Sequence, residues 1–182
     1  MKWRLIIDKA RDAYTNMAID LALTKLNKIP TLRLYQWDPA AVSIGYFQSL
    51  KEEVDIQKCD QLGIDYVRRV TGGGAVFHDK ELTYSFTIDE KNKFVPENIK
   101  ESYEIICAAI INGLKEINID ADYVPLNDLV VNGKKISGCA QTRKFKKILQ
   151  HGTLLMDVDV DKMFSVLKVP DEKIKDKLIK NV

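Results

Sequence analysis

Cysteine is sparse in this sequence. Cys59, Cys107 and Cys139 lie far apart, are odd in number and show no C-x-x-C spacing, so neither a disulfide framework nor a zinc site follows from them. That usage fits a reducing cytoplasm. Histidine is sparser still, with only His78 and His151 present, which argues against a metal centre built on histidines. Long apolar runs are also missing. Leu5-Ile6-Ile7 meets Asp8 after three residues, too short for the core of a signal peptide, and no other segment approaches the roughly 18 apolar residues of a membrane span. Nor does one sign of charge prevail: 28 basic and 26 acidic side chains leave +2, which requires neither nucleic acid nor an anionic membrane as partner.

What is present describes one ordinary globular domain over residues 1–182. With 46% hydrophobic and 30% charged residues the chain is too apolar for disorder, and about two thirds of its unfolded surface can be buried. Residues 3–8 read as a strand, followed by a helix that Asn16 can cap and that carries Ile19, Ala22, Leu23 and Leu26 on one face. Residues 31–37 and 40–44 read as strands, the second stopping at Gly45. Residues 52–62 are loosely helical with Gly63 as their stop, and 64–67 form a short strand. A strand at 82–88 precedes the longest helix, 99–117. Further strands follow at 121–124, 128–131 and 134–139. Asn132-Gly133 joins the last two and suits a type I′ hairpin turn. A strand at 148–156 and helices at 160–168 and 172–180 complete the chain. Without regular βαβ alternation, the fold class is α+β, with a mixed, largely antiparallel sheet flanked by helices.

Three segments carry chemistry. In Arg68-Arg69-Val70-Thr71-Gly72-Gly73-Gly74-Ala75-Val76-Phe77-His78-Asp79, three glycines let main-chain N–H groups converge on an anion, and two arginines offer planar forks for carboxylate or phosphate. The same residues would also make a tight turn flanked by surface arginines. It is not a Walker A loop, which ends in Gly-Lys-Ser/Thr, and G-x-G-x-x-G is absent. The second segment runs from Asn127 to Ala140. Its hairpin would aim Lys135 at a phosphate or an acyl carbonyl, and Asn127 and Asp128 offer the oxygen ligands that Mg²⁺ prefers; solvated lysines and a turn aspartate are the alternative. Strand alternation puts Lys134 opposite Lys135, and Cys139 on the same face as Lys135. In Leu149-Gln150-His151-Gly152-Thr153-Leu154-Leu155-Met156, the histidine either orients a substrate or satisfies a core hydrogen bond.

Together these segments resemble the lipoate-protein ligase A family, catalytic domains of the biotin and lipoate ligase superfamily. The match lies in residues 68–79, Asn127-Asp128-Leu129-Val130-Val131, Lys135-Ile136-Ser137-Gly138 and His151-Gly152-Thr153-Leu154-Leu155. Weaker matches are Asn16-Met17-Ala18-Ile19-Asp20, Gly45-Tyr46-Phe47-Gln48 and Leu167-Lys168-Val169-Pro170-Asp171-Glu172-Lys173. The resemblance implies a biotin/lipoate ligase-like domain that condenses lipoate with ATP into lipoyl-AMP and passes the lipoyl group to a carrier lysine. Carriers would be lipoyl domains of 2-oxoacid dehydrogenase E2 subunits or the glycine cleavage H protein. By position, Lys135 would be catalytic. Arg69, Gly72, Gly73, Gly74, Ala75, Val76, Phe77, Asn127, Asp128 and Lys135 would contact ATP, with Asp128 placing Mg²⁺. Arg69, Gly74, His78, Lys135, Gly138 and His151 would contact lipoate. Many members add a C-terminal accessory domain, which a separate subunit would supply here. Related octanoyltransferases are the alternative: they draw on acyl carrier protein through a cysteine thioester, for which Cys139 is the candidate nearest the site. A noncatalytic lipoate-binding protein is a third reading.

Overall fold

The computed structural model describes residues 2–168. The expected helix at 172–180 and the end of the 167–173 motif lie outside those residues. Among the described residues the strands form two sheets. The larger has the spatial order β1 (Arg4–Ile7), β2 (Thr31–Tyr35), β6 (Lys80–Asp89), β10 (Lys147–Asp157), β9 (Lys134–Lys144), β8 (Asp128–Val131), β7 (Asp122–Val124). Only β1 and β2 run parallel in it. The smaller sheet sets β3 (Ala41–Ile44) between β4 (Asp65–Arg68) and β5 (Val76–His78). The chain therefore has the expected α+β fold with a mixed, largely antiparallel sheet.

Helix α1 (Ala13–Leu26) covers one face of the large sheet, and its orientation reverses the expectation. Asp12, not Asn16, is its cap, with the carboxylate accepting from Thr15 N at 2.8 Å. Asn16, Asp20 and Thr24 are buried, while Leu26 is 76% exposed. The apolar stripe Ile19, Ala22, Leu23 and Leu26 instead lines an outer hollow of about 400 Å³. The cause is Arg33 of β2, fully buried beneath the helix. A buried guanidinium needs charged and polar partners, and the inward face of α1 supplies Asp20 and Asn16.

Helix α4 (Ile99–Lys115), capped by Asn98, covers the other face. Cys107 and Leu114 pack there with Tyr84, Leu129 and Cys139. A fully buried side chain such as Leu129 contributes roughly 1.5–3 kcal/mol by leaving water. Residues 52–62 divide into α2 (Leu50–Glu53) and α3 (Ile56–Leu62), because Asp55 caps a new helix at Lys58 N and Val54 bridges to Leu167. Gly63 does end α3, in the left-handed conformation. Helix α5 (Val160–Val166) follows β10.

Strand β9 runs past its expected end to Lys144 and turns directly into β10. The turn residues Phe145 and Lys146 take φ values of +56° and +59°, a two-residue turn without the glycine or asparagine that signals one. Asn132 and Gly133 form the predicted turn between β8 and β9, with φ of +50° and +74°. Between those strands Leu129 pairs with Ser137 but Val130 pairs with Lys135, so Ile136 is an extra, bulged residue. The bulge shifts the alternation by one and overturns one expectation: Lys135 shares a face with Gly138 and Asp128, while Cys139 lies on the opposite face.

Candidate active site

The glycine segment links β4 to β5 and is clamped from both sides. From one side, Tyr46 N donates to Thr71 O at 2.8 Å, and Gly45 lies so close to Gly73 O that no Cβ would fit. Arg68 holds that neighbouring turn through the carbonyls of Gly45, Tyr46 and Gln48. From the other side, buried Arg69 donates to Ser43 O, to Ser43 Oγ, and to Gly72 O and Gly74 O, the last two at 2.7 Å. In a trans peptide the C=O and the following N–H point opposite ways. With the Gly72 and Gly74 carbonyls turned to Arg69, the N–H groups of Gly73 and Ala75 point away from it, as an anion-binding nest requires. Gly73 makes this possible at φ +93°, and a Cβ on Gly72 or Gly74 would meet open space.

Arg69 was expected to present its fork to a ligand. Instead it holds the loop from within, and among the described residues no carboxylate pairs with it. Burial lowers its pKa to about 10, so it stays charged at neutral pH and contributes an uncompensated positive charge beneath the nest.

Both predicted histidines lie under this loop, each with both ring nitrogens occupied. His151 places Nδ1 3.0 Å from Asp20 Oδ2 and Nε2 2.7 Å from Thr71 Oγ1. His78 places Nδ1 2.6 Å from Glu81 Oε1 and Nε2 2.7 Å from Ser43 Oγ, and its ring stacks on Trp37 at 4.1 Å. Ser43 and Glu81 escaped the sequence reading, and Asp20 entered it only as the end of a weaker motif match, without a role. The signal for Asp20 was its place on one polar stripe of α1 with Asn16 and Thr24, all three of them buried. Phe77 is buried among Val42 and Ile44, so any ligand contact there falls to its backbone.

Lys135 completes the face. His151 pairs with Ala140 across β9 and β10, and Gly138, two residues along β9, shares its side. Lys135 crosses over Gly138, whose hydrogen leaves the needed space: a Cβ would sit 3.1 Å from Lys135 Nζ. The ammonium lies 2.7 Å from Asp128 Oδ1 and is half exposed. Asn127 is committed elsewhere, its Nδ2 donating to Cys139 O at 2.6 Å. Among the described residues no three His, Cys, Asp or Glu side chains gather as a metal cluster. Asp128 fits a magnesium ion carried mainly by phosphates, which needs one or two protein carboxylates.

The thiols lie elsewhere. Cys139 points under α4 with its Sγ 3.8 Å from that of Cys107; the hydrogen bond between the two thiols, together with burial, pushes the Cys139 pKa far up. The same contact with Cys139 lowers the pKa of Cys107, yet Cys107 is fully buried. Burial raises Cys59 to about 11 in the smaller core.

A glycine nest over a buried arginine, with an exposed lysine on the sheet nearby, makes a site suited to an anionic ligand. The chain belongs to the family of the lipoyl protein ligase A/B catalytic domain, whose model matches residues 12–182. It is 39% identical over 205 aligned residues to the octanoyltransferase LipM of Brevibacillus brevis, spanning 98% of this chain and 74% of that protein. A bi-partite lipoate protein ligase from Thermoplasma acidophilum, solved in work that included its E2 lipoyl domain, superposes with a TM-score of 0.84 at 35% identity, covering 99% of this chain and 71% of that one. Lipoate-protein ligase A bound with ATP superposes at 0.79 with 32% identity, covering 93% and 73%. The chain is thus an enzyme of the lipoyl and octanoyl transfer family. No helix among its described residues is long and apolar enough to cross a membrane.

Proposed function

We propose that this chain is an ATP-dependent lipoate-protein ligase, activating lipoate as lipoyl-AMP and transferring the lipoyl group to a lysine of a lipoyl carrier domain. The observation that carries this reading is the division of β9 between its faces: Lys135 stands with the glycine nest, and every cysteine of the chain is buried away from it. In the first half-reaction the lipoate carboxylate attacks the α-phosphorus of ATP and pyrophosphate leaves. In the second the carrier amine attacks the acyl carbonyl and AMP leaves. The Gly73 and Ala75 amides would hold phosphate oxygens, with the Arg69 charge behind them, and Lys135 would bind the oxygens that gain charge in both steps. Lys135 would exchange Asp128 for the substrate, freeing Asp128 for Mg²⁺. His78 and His151 would fix the loop against lipoate, and Gly138 would leave room for Lys135.

The T. acidophilum neighbour supports an E2 lipoyl domain as the carrier, with glycine cleavage H protein as a second candidate. Its bi-partite make-up supports including a separate accessory subunit in the assay. Identity to LipM favours a second reading, octanoyl transfer from acyl carrier protein through a cysteine thioester. That route needs a thiol that can reach the acyl group. Lipoate-dependent exchange of pyrophosphate into ATP, with and without the accessory subunit, tests the ligase reading: its absence under both conditions, with acyl transfer intact, rejects it.

A further inference from the structure

The two histidines share an arrangement that neither acyl activation nor carrier recognition requires of them. Each has Nδ1 at a buried carboxylate and Nε2 at a buried hydroxyl, and both chains of hydrogen bonds end in the glycine loop. We infer that Asp20 and Glu81 are positioning residues that fix His151 and His78 as Nδ1–H tautomers and so set the polarity of the loop; the functional part of this rests on the ligase reading.

The direction of the chain through His78 follows from its two ends, both of which can only donate. Arg69 Nη1 donates to Ser43 Oγ at 3.2 Å, so the Ser43 hydrogen is available for His78 Nε2 at 2.7 Å. That nitrogen is then bare, and Nδ1 carries the ring hydrogen toward Glu81 Oε1 at 2.6 Å. From the other end Trp37 Nε1 donates to Thr83 Oγ1 at 2.7 Å, and Thr83 donates to Glu81 Oε1 at 2.8 Å. Glu81 is the sink for both. Its charge reaches Arg69 only through the imidazole and Ser43, which leaves the guanidinium oriented on the loop yet free of a direct counter-ion.

The chain through His151 runs the same way. Asp20 accepts from Arg33 Nη1 at 3.2 Å, from Tyr35 OH at 3.2 Å and from His151 Nδ1 at 3.0 Å. His151 Nε2 then accepts the hydroxyl of buried Thr71 at 2.7 Å, which ties the first residue of the loop to the sheet beneath it.

Asp20→Asn separates this role from packing. Arg33 demands an oxygen on its side of the amide, so the NH₂ group meets His151 Nδ1, donates to it and drives the ring hydrogen to Nε2. The same logic makes the aspartate of a Ser-His-Asp triad set its tautomer. Arg33 keeps its pair with Asp8 at 3.0 Å, which supports folding of the variant. The chain contains only two imidazoles, so side-chain ¹⁵N spectra at alkaline pH report both tautomers directly. The expected result is two Nδ1–H rings in the wild type. In Asp20→Asn, His151 alone switches, and KM for the acid rises about tenfold, the scale of one misdirected hydrogen bond, with kcat changed less. An Nε2–H His151 in the wild type, or an unchanged ring in the variant, overturns the inference. Should Asp20→Asn not fold, Thr71→Val keeps the side-chain shape without the hydroxyl. It is expected to raise KM with His151 still Nδ1–H, and an unchanged KM counts against the proposal. The tautomers are read without activity, so wild-type protein with Nδ1–H rings and no acyl transfer would reject the ligase reading alone.

Discussion

Lys135 and Cys139, four residues apart on β9, point to opposite faces of the sheet because Ile136 is bulged out of the ladder. Lys135 meets Asp128 on the face of the glycine nest, and Cys139 meets Cys107 beneath α4. The charge that an acyl transfer needs and the thiol that a covalent route needs are thus divided by the thickness of one strand.

Lys135→Ala is expected to abolish acyl transfer and leave the melting temperature nearly unchanged. The Lys135–Asp128 pair is exposed, and such pairs contribute about 0–1 kcal/mol. Lys134 pairs with Val131 on the opposite face, so Lys134→Ala should keep most of the activity. Equal losses in carrier acylation at both positions would count against the observed register.

Gly73→Ala and Gly74→Ala should fail for different reasons. At Gly73 the positive φ and a Cβ 2.9 Å from the Arg69 guanidinium strain the folded loop, at a cost of about 1–3 kcal/mol in denaturant unfolding. At Gly74 a Cβ meets nothing, so stability should hold within about 0.5 kcal/mol. If the loop cradles a ligand, Gly74→Ala still loses affinity for lipoyl-adenylate by calorimetry. Unchanged affinity in a stable Gly74→Ala protein removes the cradle.

Acid should loosen the α1 layer through Asp8. The Arg11 hydrogen bond and the Arg33 guanidinium beside it hold this carboxyl at about 2, below its ordinary 3.8. A depressed folded value stabilises above the unfolded pKa and is lost as pH falls through the folded one, so the loss lies between about pH 4 and pH 2. Asp8→Asn is expected to flatten that part of the stability profile, as followed by circular dichroism. An identical slope in the variant would show that Asp8 does not carry it.

The sequence revealed the class, the main strands and the Asn132-Gly133 turn because these depend on local patterns. Alternation, helical spacing and a turn dipeptide are all read within a few residues. The orientation of α1 was hidden, since its inward polar stripe answers to Arg33 on another element. Apolar periodicity therefore pointed to the outer side. The bulge at Ile136 was equally hidden: Lys135 and Cys139 obey strict alternation in the sequence, and only the pairing with β8 breaks it. The site residues matched by motif, Arg69, Gly72 to Gly74, Lys135, Gly138, Asp128 and the two histidines, do share one region. Their partners were less legible: Asp20 ends the weaker match that begins at Asn16 but has no role attached there, Glu81 follows His78 by three residues, and Ser43 sits in a strand that carries no motif.

The most direct measurement is acylation of a lipoyl carrier domain by wild-type and Cys139→Ser protein. It is run once with lipoate, ATP, Mg²⁺ and the accessory subunit, and once with octanoyl carrier protein and no ATP. Serine in the buried Cys139 site should lower stability by roughly 1–2 kcal/mol while folded protein keeps most of its ATP-dependent activity, since no acyl-enzyme forms on a thiol. Transfer from octanoyl carrier protein without ATP, an acyl-enzyme mass on wild-type protein and its loss together with activity in Cys139→Ser would contradict the account.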